Sequence, residues 1–430
     1  MRVRTSERSG SAARSRVGAV HRRVRELTGV DLPLVLWDGT RVGPVDAPFR
    51  MILREEWSLR AALWPPSDLS AGEAYLHGWL DITGDVIAAM EAGDALFARL
   101  PRSWRSRLGL AAEILRLPAP PASRATGRRA RLPGRMHSLE RDRRAVSFHY
   151  DRPQSFYETF LDDDLVYSCA YFAPGDDDLG RAQRRKLDLV CRKLRLQPGQ
   201  RLLDVGCGWG SLLIHAAERY GVDATGVTLS RTQAEAGTRM IAERGLSDRA
   251  RILLRDYREV DDRFDAVASV GMAEHVGPDN LASYCDTVRR LLRPGGGFLC
   301  HSIVTGDAEH VRHGDEPTFV TAYVFPDGGL VPAWRLVRAV QQGGFEVIDL
   351  EQLRPHYART LRQWVANLEA NHERAATAAS ETDYRIWRLY LAASSHSFAS
   401  GALGVVQVLG RAPGAQEPLP RGRDWMLTAL

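Results

Sequence analysis

The sequence predicts an α/β protein: a doubly wound sheet with a helical insertion, preceded by a small α+β domain. From residue 201 onward, short apolar runs alternate with amphipathic helical segments, which is typical of parallel sheets with helices on both faces. The first of these runs leads into three glycines, at positions 206, 208 and 210. A Pro- and Arg-rich stretch at 116–136 separates this part from the preceding residues, and its composition cannot build a core.

The N-terminal part is predicted as three segments. Residues 1–26 form a basic tail that is expected to be disordered, because residues 1–25 hold eight arginines and a single acid, Glu7. Residues 27–115 form the α+β domain, with a hairpin closed by Asp38-Gly39, a strand at 49–53 and helices at 68–78 and 85–99. Residues 116–136 form a linker with six arginines and no acid, which is either solvated or in contact with anionic lipid.

The second domain is expected over residues 137–412, followed by a tail at 413–430. Its predicted strands are 201–205, 223–228, 250–254, 264–270 and 297–303, with helices at 179–194, 211–220, 231–244, 279–292 and 332–342. The Arg-Pro-Gly-Gly-Gly stretch at 293–297 is interpreted as a turn. Two late strands at 345–350 and 405–410 are expected to close the sheet, one of them antiparallel, with a helical insertion at 357–400 between them.

Composition narrows the class of protein without choosing a partner. With 44% apolar and 26% charged residues the chain resembles ordinary folded proteins, and no apolar run approaches the roughly 20 residues needed to span a bilayer. The net charge of +5 favours anionic partners such as phospholipid headgroups, acidic carrier proteins or nucleic acid. The five cysteines lack C-x-x-C spacing and are interpreted as free thiols in a reducing cytosol.

The glycine turn predicts a cofactor site. The strand at 202–205 carries Asp204, and the glycines at 206, 208 and 210 let the backbone turn sharply and approach a ligand closely. The Gly-x-Gly-x-Gly spacing fits S-adenosylmethionine better than a dinucleotide. A sulfonium cofactor brings no phosphate to the turn, so the acidic Asp204 beside it is tolerated.

Ionisable side chains stand at the carboxyl ends of the fourth and fifth strands. Glu274 and His275 follow the fourth strand, and His301 lies in the fifth. Ligands bind beyond the carboxyl ends of the strands in such sheets, so Glu274 and His301 are expected close to the cofactor turn. No His, Cys and Asp cluster has metal-ligand spacing, and no metal is expected.

Six motifs occur in an order that resembles one enzyme family. They are His149-Tyr-Asp151, Tyr167-Ser-Cys-Ala-Tyr171, Leu-Asp-Val-Gly-Cys-Gly-Trp-Gly at 203–210, Gly-Val-Thr-Leu-Ser-Arg-Thr-Gln at 226–233, Glu274-His-Val-Gly277 and Pro-His-Tyr-Ala-Arg-Thr-Leu at 355–361. Together they resemble the cyclopropane-fatty-acyl-phospholipid synthases and mycolic acid cyclopropane synthases, over roughly residues 145–410. The resemblance implies a class I methyltransferase fold, which is Rossmann-like.

The same resemblance implies a reaction and a substrate. Members transfer a methyl group from S-adenosylmethionine to the cis double bond of an acyl chain, and a bound bicarbonate removes a proton so that a cyclopropane ring closes. The domain at 27–115 resembles, more weakly, the additional domain of the phospholipid-acting members, which implies lipid binding. The substrate is therefore expected to be a membrane phospholipid with an unsaturated acyl chain.

The resemblance also assigns residues. The bicarbonate site is implied at Cys169, Glu274, His301, Ile303 and Tyr357. Glu274 would accept the bicarbonate hydroxyl proton, while His301, Tyr357 and backbone N–H groups near Cys169 and Ile303 would donate. Cofactor contacts are implied for Tyr167, Ser168, Asp204, Gly206, Gly208, Thr228, Leu229, Gln233, Tyr257 and Arg258. Aromatic faces that stabilise a positive charge on the acyl chain are expected among Tyr150, Tyr167, Tyr171 and Tyr357.

Alternative functions stay open. Some relatives leave a methylene branch that a partner reductase turns into a 10-methyl chain, and the histidines at 275 and 301 favour ring formation over this outcome. The N-terminal domain and basic linker disfavour a small-molecule N-methyltransferase, and the intact cofactor turn disfavours a silent lipid-binding protein. No Asn/Asp-Pro-Pro-aromatic motif supports a nucleic-acid methyltransferase.

The resemblance and the charge also imply a location. The protein is expected in the cytoplasm, peripherally associated with the inner face of the cell membrane. The sequence leaves the oligomeric state open, a homodimer included.

Overall fold

The computed structural model describes residues 2–100, 103–121, 128–306, 317–415 and 418–427, with backbone alone for 2–10. The chain divides into two units. Unit 1 contains the described residues of 1–130, 314–324 and 381–396, and unit 2 contains those of 131–313, 325–380 and 397–430. Unit 1 thus takes two segments from the stretch that the sequence assigned to the second domain.

Unit 1 is built around a small mixed sheet. Its elements before residue 130 are α1 (Arg2–Thr28), β1 (Leu34–Val35), β2 (Arg41–Val42), β3 (Phe49–Leu53), α2 (Ser58–Leu63), α3 (Asp68–Leu76), β4 (Leu80–Gly84), α4 (Val86–Ala98) and α5 (Trp104–Leu115). The strand order is β2-β1-β3-β4, and only β1 and β3 are parallel among the pairs described. The predicted hairpin, strand 49–53 and two helices are confirmed, whereas β4, α2 and α5 were not predicted.

Helix α1 shows that the expectation of a disordered tail at 1–26 is wrong. Ala13, Val17, Val20 and Val24 are buried at helical spacing. The three valines pack in the apolar core of unit 1 together with residues such as Leu34. Along the sequence these apolar residues are separated by arginines of the opposite face, so the composition of the segment hid its helical periodicity.

Two arginines in the second described part of the linker, at 128 and 129, lie against acidic residues of unit 1. Arg128 donates to Asp383 at 2.6 Å, and the Asp383 side chain is fully buried. Arg129 lies 3.7 Å from Glu73. Residues 122–127, with Arg124, lie outside the described residues. Arg128 and Arg129 are therefore paired with acids rather than freely solvated, and the alternative of contact with anionic lipid stays a prediction.

Unit 2 contains the larger sheet. From residue 131 onward the helices are α6 (Leu139–Tyr150), α7 (Gln154–Tyr157), α8 (Leu179–Lys193), α9 (Ser211–Tyr220), α10 (Arg231–Glu243), α11 (Ala273–Val276), α12 (Leu281–Leu291), α13 (Phe319–Tyr323), α14 (Ala333–Gln342), α15 (Arg354–Ala370), α16 (His372–Ala378), α17 (Glu381–Ser400) and α18 (Asp424–Leu427). The strands are β5 (Arg201–Val205), β6 (Asp223–Thr228), β7 (Ala250–Leu254), β8 (Phe264–Val270), β9 (Leu292–Thr305), β10 (Glu346–Gln352) and β11 (Leu403–Arg411). Of these helices, α13 and residues 381–396 of α17 belong to unit 1.

The sheet of unit 2 confirms the predicted doubly wound topology. The described strands are ordered β10-β11-β9-β8-β5-β6-β7, and β11 runs antiparallel to both of its neighbours. The remaining neighbouring pairs are parallel. The helical insertion is also confirmed, as α15 to α17 lie between β10 and β11.

One predicted turn is instead part of a strand. The stretch 293–297 lies within β9, where the pairing with β8 shifts from Phe264↔Leu292 to Ala266↔Gly297. The Pro-Gly-Gly-Gly residues therefore form an irregularity that inserts extra length into the strand, as in a β-bulge. The proline and glycines correctly indicated a break in regular strand pairing, but not that this break lies inside a strand.

The C-terminal stretch predicted as a tail is packed onto unit 2. Met426 in α18 is buried and joins the apolar core that also includes residues of α8. Arg423 forms an ion pair with Asp349 at 2.8 Å. At least residues 423–426 of the predicted tail are therefore an ordered part of this unit.

Two expectations from composition can be compared with the structure directly. All five cysteines are buried free thiols, as predicted. Within the described ranges, no helix combines the length and the apolarity needed to cross a membrane.

Candidate active site

The carboxyl ends of β5, β6, β7 and β8 surround a cleft of about 1030 Å³, part of which is open to solvent. Strand β5 lies between β6 and β8, so the order of the strands reverses at this point, where ligands bind in open α/β sheets. The cleft is lined by nine of the ten predicted cofactor residues, namely Tyr167, Ser168, Asp204, Gly206, Gly208, Thr228, Leu229, Gln233 and Tyr257. Tyr150, predicted at the substrate, lines it as well.

The glycine turn after β5 requires glycine for its backbone conformation. Gly206, Gly208 and Gly210 have φ values of 79°, 56° and 85°. The N–H groups of Gly206 and Cys207 both donate to the carbonyl of Val227, at 3.0 Å each, which ties the turn to β6. A Cβ at Gly206 would meet Met272 only at ordinary contact distance, 3.5 Å. The left-handed backbone is therefore the main constraint at this position.

The end of β6 orients Gln233 toward the cleft. The Thr228 hydroxyl donates to Gln233 Oε1 at 2.9 Å, and Ser230 caps α10 by accepting from the Gln233 N–H at 3.3 Å. Because the amide oxygen is already occupied, the side-chain NH2 group is what Gln233 can offer to a ligand.

The end of β7 places Arg258 beside the cleft rather than in its wall. Its guanidinium donates to Asp256 at 2.7 Å and to Asp142 of α6 at 2.8 Å. These hydrogen bonds raise the pKa of Arg258, so it stays charged. Arg258 lines an adjacent cavity that shares Tyr257 and Met272 with the cleft. The structure thus makes Arg258 a residue that fixes α6, whereas direct cofactor contact was predicted.

A buried lysine, which the sequence analysis missed, lies at the inner end of the cleft. Lys186 of α8 is 2% exposed, and its ammonium donates to Ser168 Oγ at 2.9 Å. Asp204 is also buried, its Oδ1 has no partner among the described residues, and burial raises its pKa to about 7. A lysine on the apolar face of α8, beside Leu187 and Val190, was the signal that could have identified it.

Glu274 and Ile303, two of the residues predicted to hold bicarbonate, bond to each other. Glu274 Oε1 accepts the Ile303 N–H at 2.6 Å. The resemblance had implied that this N–H donates to bicarbonate, so it becomes available to an anion only if Glu274 turns away. Glu274 Oε2 is buried and has no partner among the described residues.

The other predicted anion-site residues connect to this pair through the sheet. Ile303 pairs with Val405 of β11, whose carbonyl accepts the N–H of Leu353. The Leu353 carbonyl in turn accepts the Tyr357 N–H at 3.1 Å and lies 3.7 Å from Cys169 Sγ. The predicted site is therefore gathered at the carboxyl end of β9, although none of its five residues lines the cofactor cleft itself.

Burial determines the protonation of the two ionisable groups at this site. Desolvation raises the pKa of Glu274 to about 7 and lowers that of His301 to about 3, so His301 is neutral. His301 Nδ1 lies 3.2 Å from the amide nitrogen of Gln407. With Gln407 as donor in this assigned orientation, the His301 proton is on Nε2 and can be donated. A carboxyl group with a pKa near neutrality suits proton transfer.

The predicted aromatic residues separate into two groups. Tyr150 packs edge-on to Tyr167 at 6.2 Å, Tyr167 lies 5.3 Å from Trp364, and Trp364 lies 6.1 Å from Tyr357. These rings link the cleft to the Glu274 region. Tyr171 lies apart: it stacks on His356 at 4.6 Å, and its hydroxyl donates to Glu351 at 3.3 Å. The structure thus places Tyr171 outside the predicted substrate site.

The sheet order, the glycine turn at its switch point and the cleft define a class I S-adenosylmethionine-dependent methyltransferase. A sequence model of the family described as mycolic acid cyclopropane synthetase matches residues 137–408. The chain therefore belongs to this family of methyltransferases.

Solved and curated proteins agree with the assignment. The crystal structure of mycolic acid cyclopropane synthase CmaA1 complexed with SAH and CTAB superposes with a TM-score of 0.59 at 34% identity, covering 63% of this chain and 98% of that chain. A probable fatty acid methyltransferase of Pseudomonas putida is 38% identical over 401 residues, 92% of this chain and 96% of its own. The tuberculostearic acid methyltransferase UfaA1 of Mycobacterium tuberculosis is 34% identical over 406 residues, 90% of each chain.

Proposed function

We propose that this enzyme methylates the cis double bond of an unsaturated acyl chain in a phospholipid and closes a cyclopropane ring. The observation that carries the proposal is that two ionisable residues, Glu274 and His301, are buried near the carboxyl ends of β8 and β9. Their surroundings exclude water, Glu274 is 8% exposed, and its pKa of about 7 lets it accept a proton near neutral pH. Addition of a methyl group to an alkene gives a carbocation, and the added methyl group must lose a proton for the ring to close. That proton needs an acceptor of this kind.

The cofactor would be held by the residues of the glycine turn and the ends of β6 and β7. S-adenosylmethionine supplies an electrophilic methyl group when it is bound. The chain contributes position: Gly206 permits close approach of the backbone, and Gln233 offers an NH2 group. Tyr150 and Tyr167 line the cleft, where aromatic rings can stabilise positive charge on the acyl chain.

The residues at the β9 end also fit a bound bicarbonate. The unpartnered Glu274 Oε2 can accept its hydroxyl proton, and neutral His301 can donate from Nε2. Removal of carbonate from the assay buffer should lower turnover, and its return should restore it.

The chemical structure of the modified acyl chain tests the proposal. The protein should be expressed in a host that has unsaturated phospholipids, and the extracted fatty acid esters examined by mass spectrometry and proton NMR. A mass gain of one CH2 together with high-field cyclopropyl signals is the expected result. Unmodified acyl chains in cells that contain folded protein, with S-adenosylmethionine bound normally in vitro, would rule the proposal out.

A methylene-branched product is the second candidate, favoured by the names of relatives that cover 90% or more of this chain. After methyl addition, a hydride must move from the methylated carbon to the neighbouring cationic carbon before the methyl group loses its proton. The methylene and cyclopropane products then have equal mass. Vinylidene proton signals in the NMR spectrum would identify the methylene chain, which a reductase could convert to a methyl branch.

We also propose that unit 1 contacts the membrane through α5. Trp104, Leu108 and Leu115 are 65%, 59% and 42% exposed and share one face of this helix. Arg105 and Arg107, both exposed, flank the stripe. Apolar side chains inserted between headgroups, with arginines at the anionic surface, are typical of helices that lie in the membrane interface.

A further inference from the structure

The inner end of the cofactor cleft contains a buried cation that the proposed chemistry leaves unused. Lys186 is 2% exposed and lines the cleft. Among the described residues its ammonium makes one hydrogen bond, to Ser168 Oγ at 2.9 Å. An ammonium has three N–H donors, so two remain for a ligand. Buried charges are normally paired, because desolvation of a lone ion is costly.

The acidic groups near Lys186 do not pair with it directly. Asp162 and Asp204 act on its charge from a distance, and neither forms an ion pair within 4 Å of it in the described part of the chain. Each of these carboxylates has one buried oxygen without a partner among the described residues. The ammonium and the Asp204 carboxylate therefore form a separated pair of opposite charges along one wall of the cleft.

We infer that Lys186 is the counter-ion for the carboxylate at the amino-acid end of S-adenosylmethionine, with Asp204 facing the neighbouring ammonium. A zwitterionic amino-acid group complements a wall that presents a cation and, apart from it, an anion. Ser168 holds the lysine in place through its hydroxyl. The inference rests on the cofactor-binding part of the proposed function and is independent of the acyl chemistry.

Other cationic residues near the cleft are unsuited to this role. Arg255 follows β7 and lines the cleft, but it is exposed. Arg258 is engaged with Asp256 and Asp142. Burial lowers the pKa of Lys186 to about 8, because desolvation penalises its charged form. A bound carboxylate would stabilise its charged form.

The test compares S-adenosylmethionine with decarboxylated S-adenosylmethionine, which keeps the sulfonium and the ammonium and lacks only the carboxylate. Calorimetric titration of the unmodified protein should show at least a roughly 10-fold preference for the carboxylated ligand. Lys186→Met should weaken the binding of S-adenosylmethionine by about 10- to 100-fold, as expected for the loss of a charge-assisted hydrogen bond. Binding of the decarboxylated ligand should stay equal or improve, because a repelling cation has been removed.

Lys193→Met is the matched control. Lys193 lies on the same helix and is equally buried, but its ammonium binds Glu351 at 2.6 Å and lies 3.4 Å from Asp349, away from the cleft. This variant should retain the ligand preference of the unmodified protein even if it is less stable. Equal weakening of both ligands in Lys186→Met would mean that Lys186 serves only the fold, and would overturn the inference.

The unmodified protein provides a test that does not depend on the folding of a variant. If it binds both ligands equally well, the inference is wrong even where acyl chains are modified in the cell. Conversely, normal discrimination between the ligands without any acyl product would refute the proposed reaction and leave the role of Lys186 intact.

Discussion

Replacement of Glu274 by Gln should change how the free energy of unfolding depends on pH, and it should also lower turnover. Burial raises the folded-state pKa of this carboxyl from 4.5 to about 7. A raised pKa favours the protonated form, so its contribution to stability is complete below pH 4.5 and is lost as the pH rises to about 7. Between pH 5.5 and pH 8 most of this stability is lost in the roughly 1.5 pH units below the folded-state pKa of about 7. At about 1.4 kcal/mol per unit, the loss amounts to roughly 2 kcal/mol.

The amide in Glu274→Gln does not titrate and can still accept the Ile303 N–H. The free energy of unfolding should be measured in urea for both proteins at pH 5.5 and at pH 8. From the lower to the higher pH, the value for the variant minus that for the unmodified protein should rise by roughly 2 kcal/mol. All other titrating groups are common to both proteins and cancel in this difference. Glu243→Gln, at the exposed end of α10, is the matched control and should show the same difference at both pH values. A pH-independent difference for Glu274→Gln would refute the burial argument.

The same substitution should reduce turnover by ~10²–10⁴, the usual worth of an oriented acid–base group. Affinity for S-adenosylmethionine should change little, since Glu274 does not line the cofactor cleft. In the unmodified enzyme kcat/KM should rise as the pH passes about 7, because the ionised carboxylate is the proton acceptor. Activity that falls over this range would show that the neutral acid is the working form.

Two further outcomes are expected. Gly206→Val should abolish S-adenosylmethionine binding in calorimetry with the fold retained by circular dichroism, because a branched residue is strained at φ 79°; normal affinity would contradict the assignment of the turn. Trp104→Ser combined with Leu108→Ser should weaken binding to anionic vesicles by on the order of 100-fold, since each large apolar side chain contributes about 1.5 kcal/mol or more when fully buried and about 1.4 kcal/mol is tenfold in affinity. Trp334→Ser, at a tryptophan of α14 that is 53% exposed, is the control and should bind as before; an equal loss in both would remove α5 from the membrane contact.

The sheet of unit 2 could be predicted because its signals are local. Each strand is a short apolar run, and the glycines at 206, 208 and 210 mark a turn that is typical of nucleotide-binding sheets. Helix α1 was missed because its valines at 17, 20 and 24 are diluted by arginines on the other face. Strand β4 was missed because Leu-Asp-Ile-Thr-Gly is short and ends in residues that are common in turns.

The site was predicted well where position follows from the topology and less well where side chains compete for partners. The cofactor residues follow strand ends and turns, so most of them line the cleft. Arg258 instead binds Asp142, which lies 116 positions away in sequence, and the Ile303 N–H binds Glu274. Such choices depend on distances between elements, which spacing along the chain does not encode. Lys186 was overlooked for a related reason: its role depends on the neighbours that burial supplies.

The discontinuity of unit 1 affects how the chain is made on the ribosome. Its core residues Val17 and Leu34 emerge early, but Trp387 and Arg388 belong to the same unit and emerge late. Arg388 donates to the buried Tyr75 hydroxyl at 3.0 Å, and Trp387 is 1% exposed. At typical translation rates of ~5–20 residues per second, the early part waits on the order of tens of seconds for its partners. During that interval apolar surface stays open to chaperones and to other nascent chains, so a fragment that ends at residue 130 is an unfinished domain.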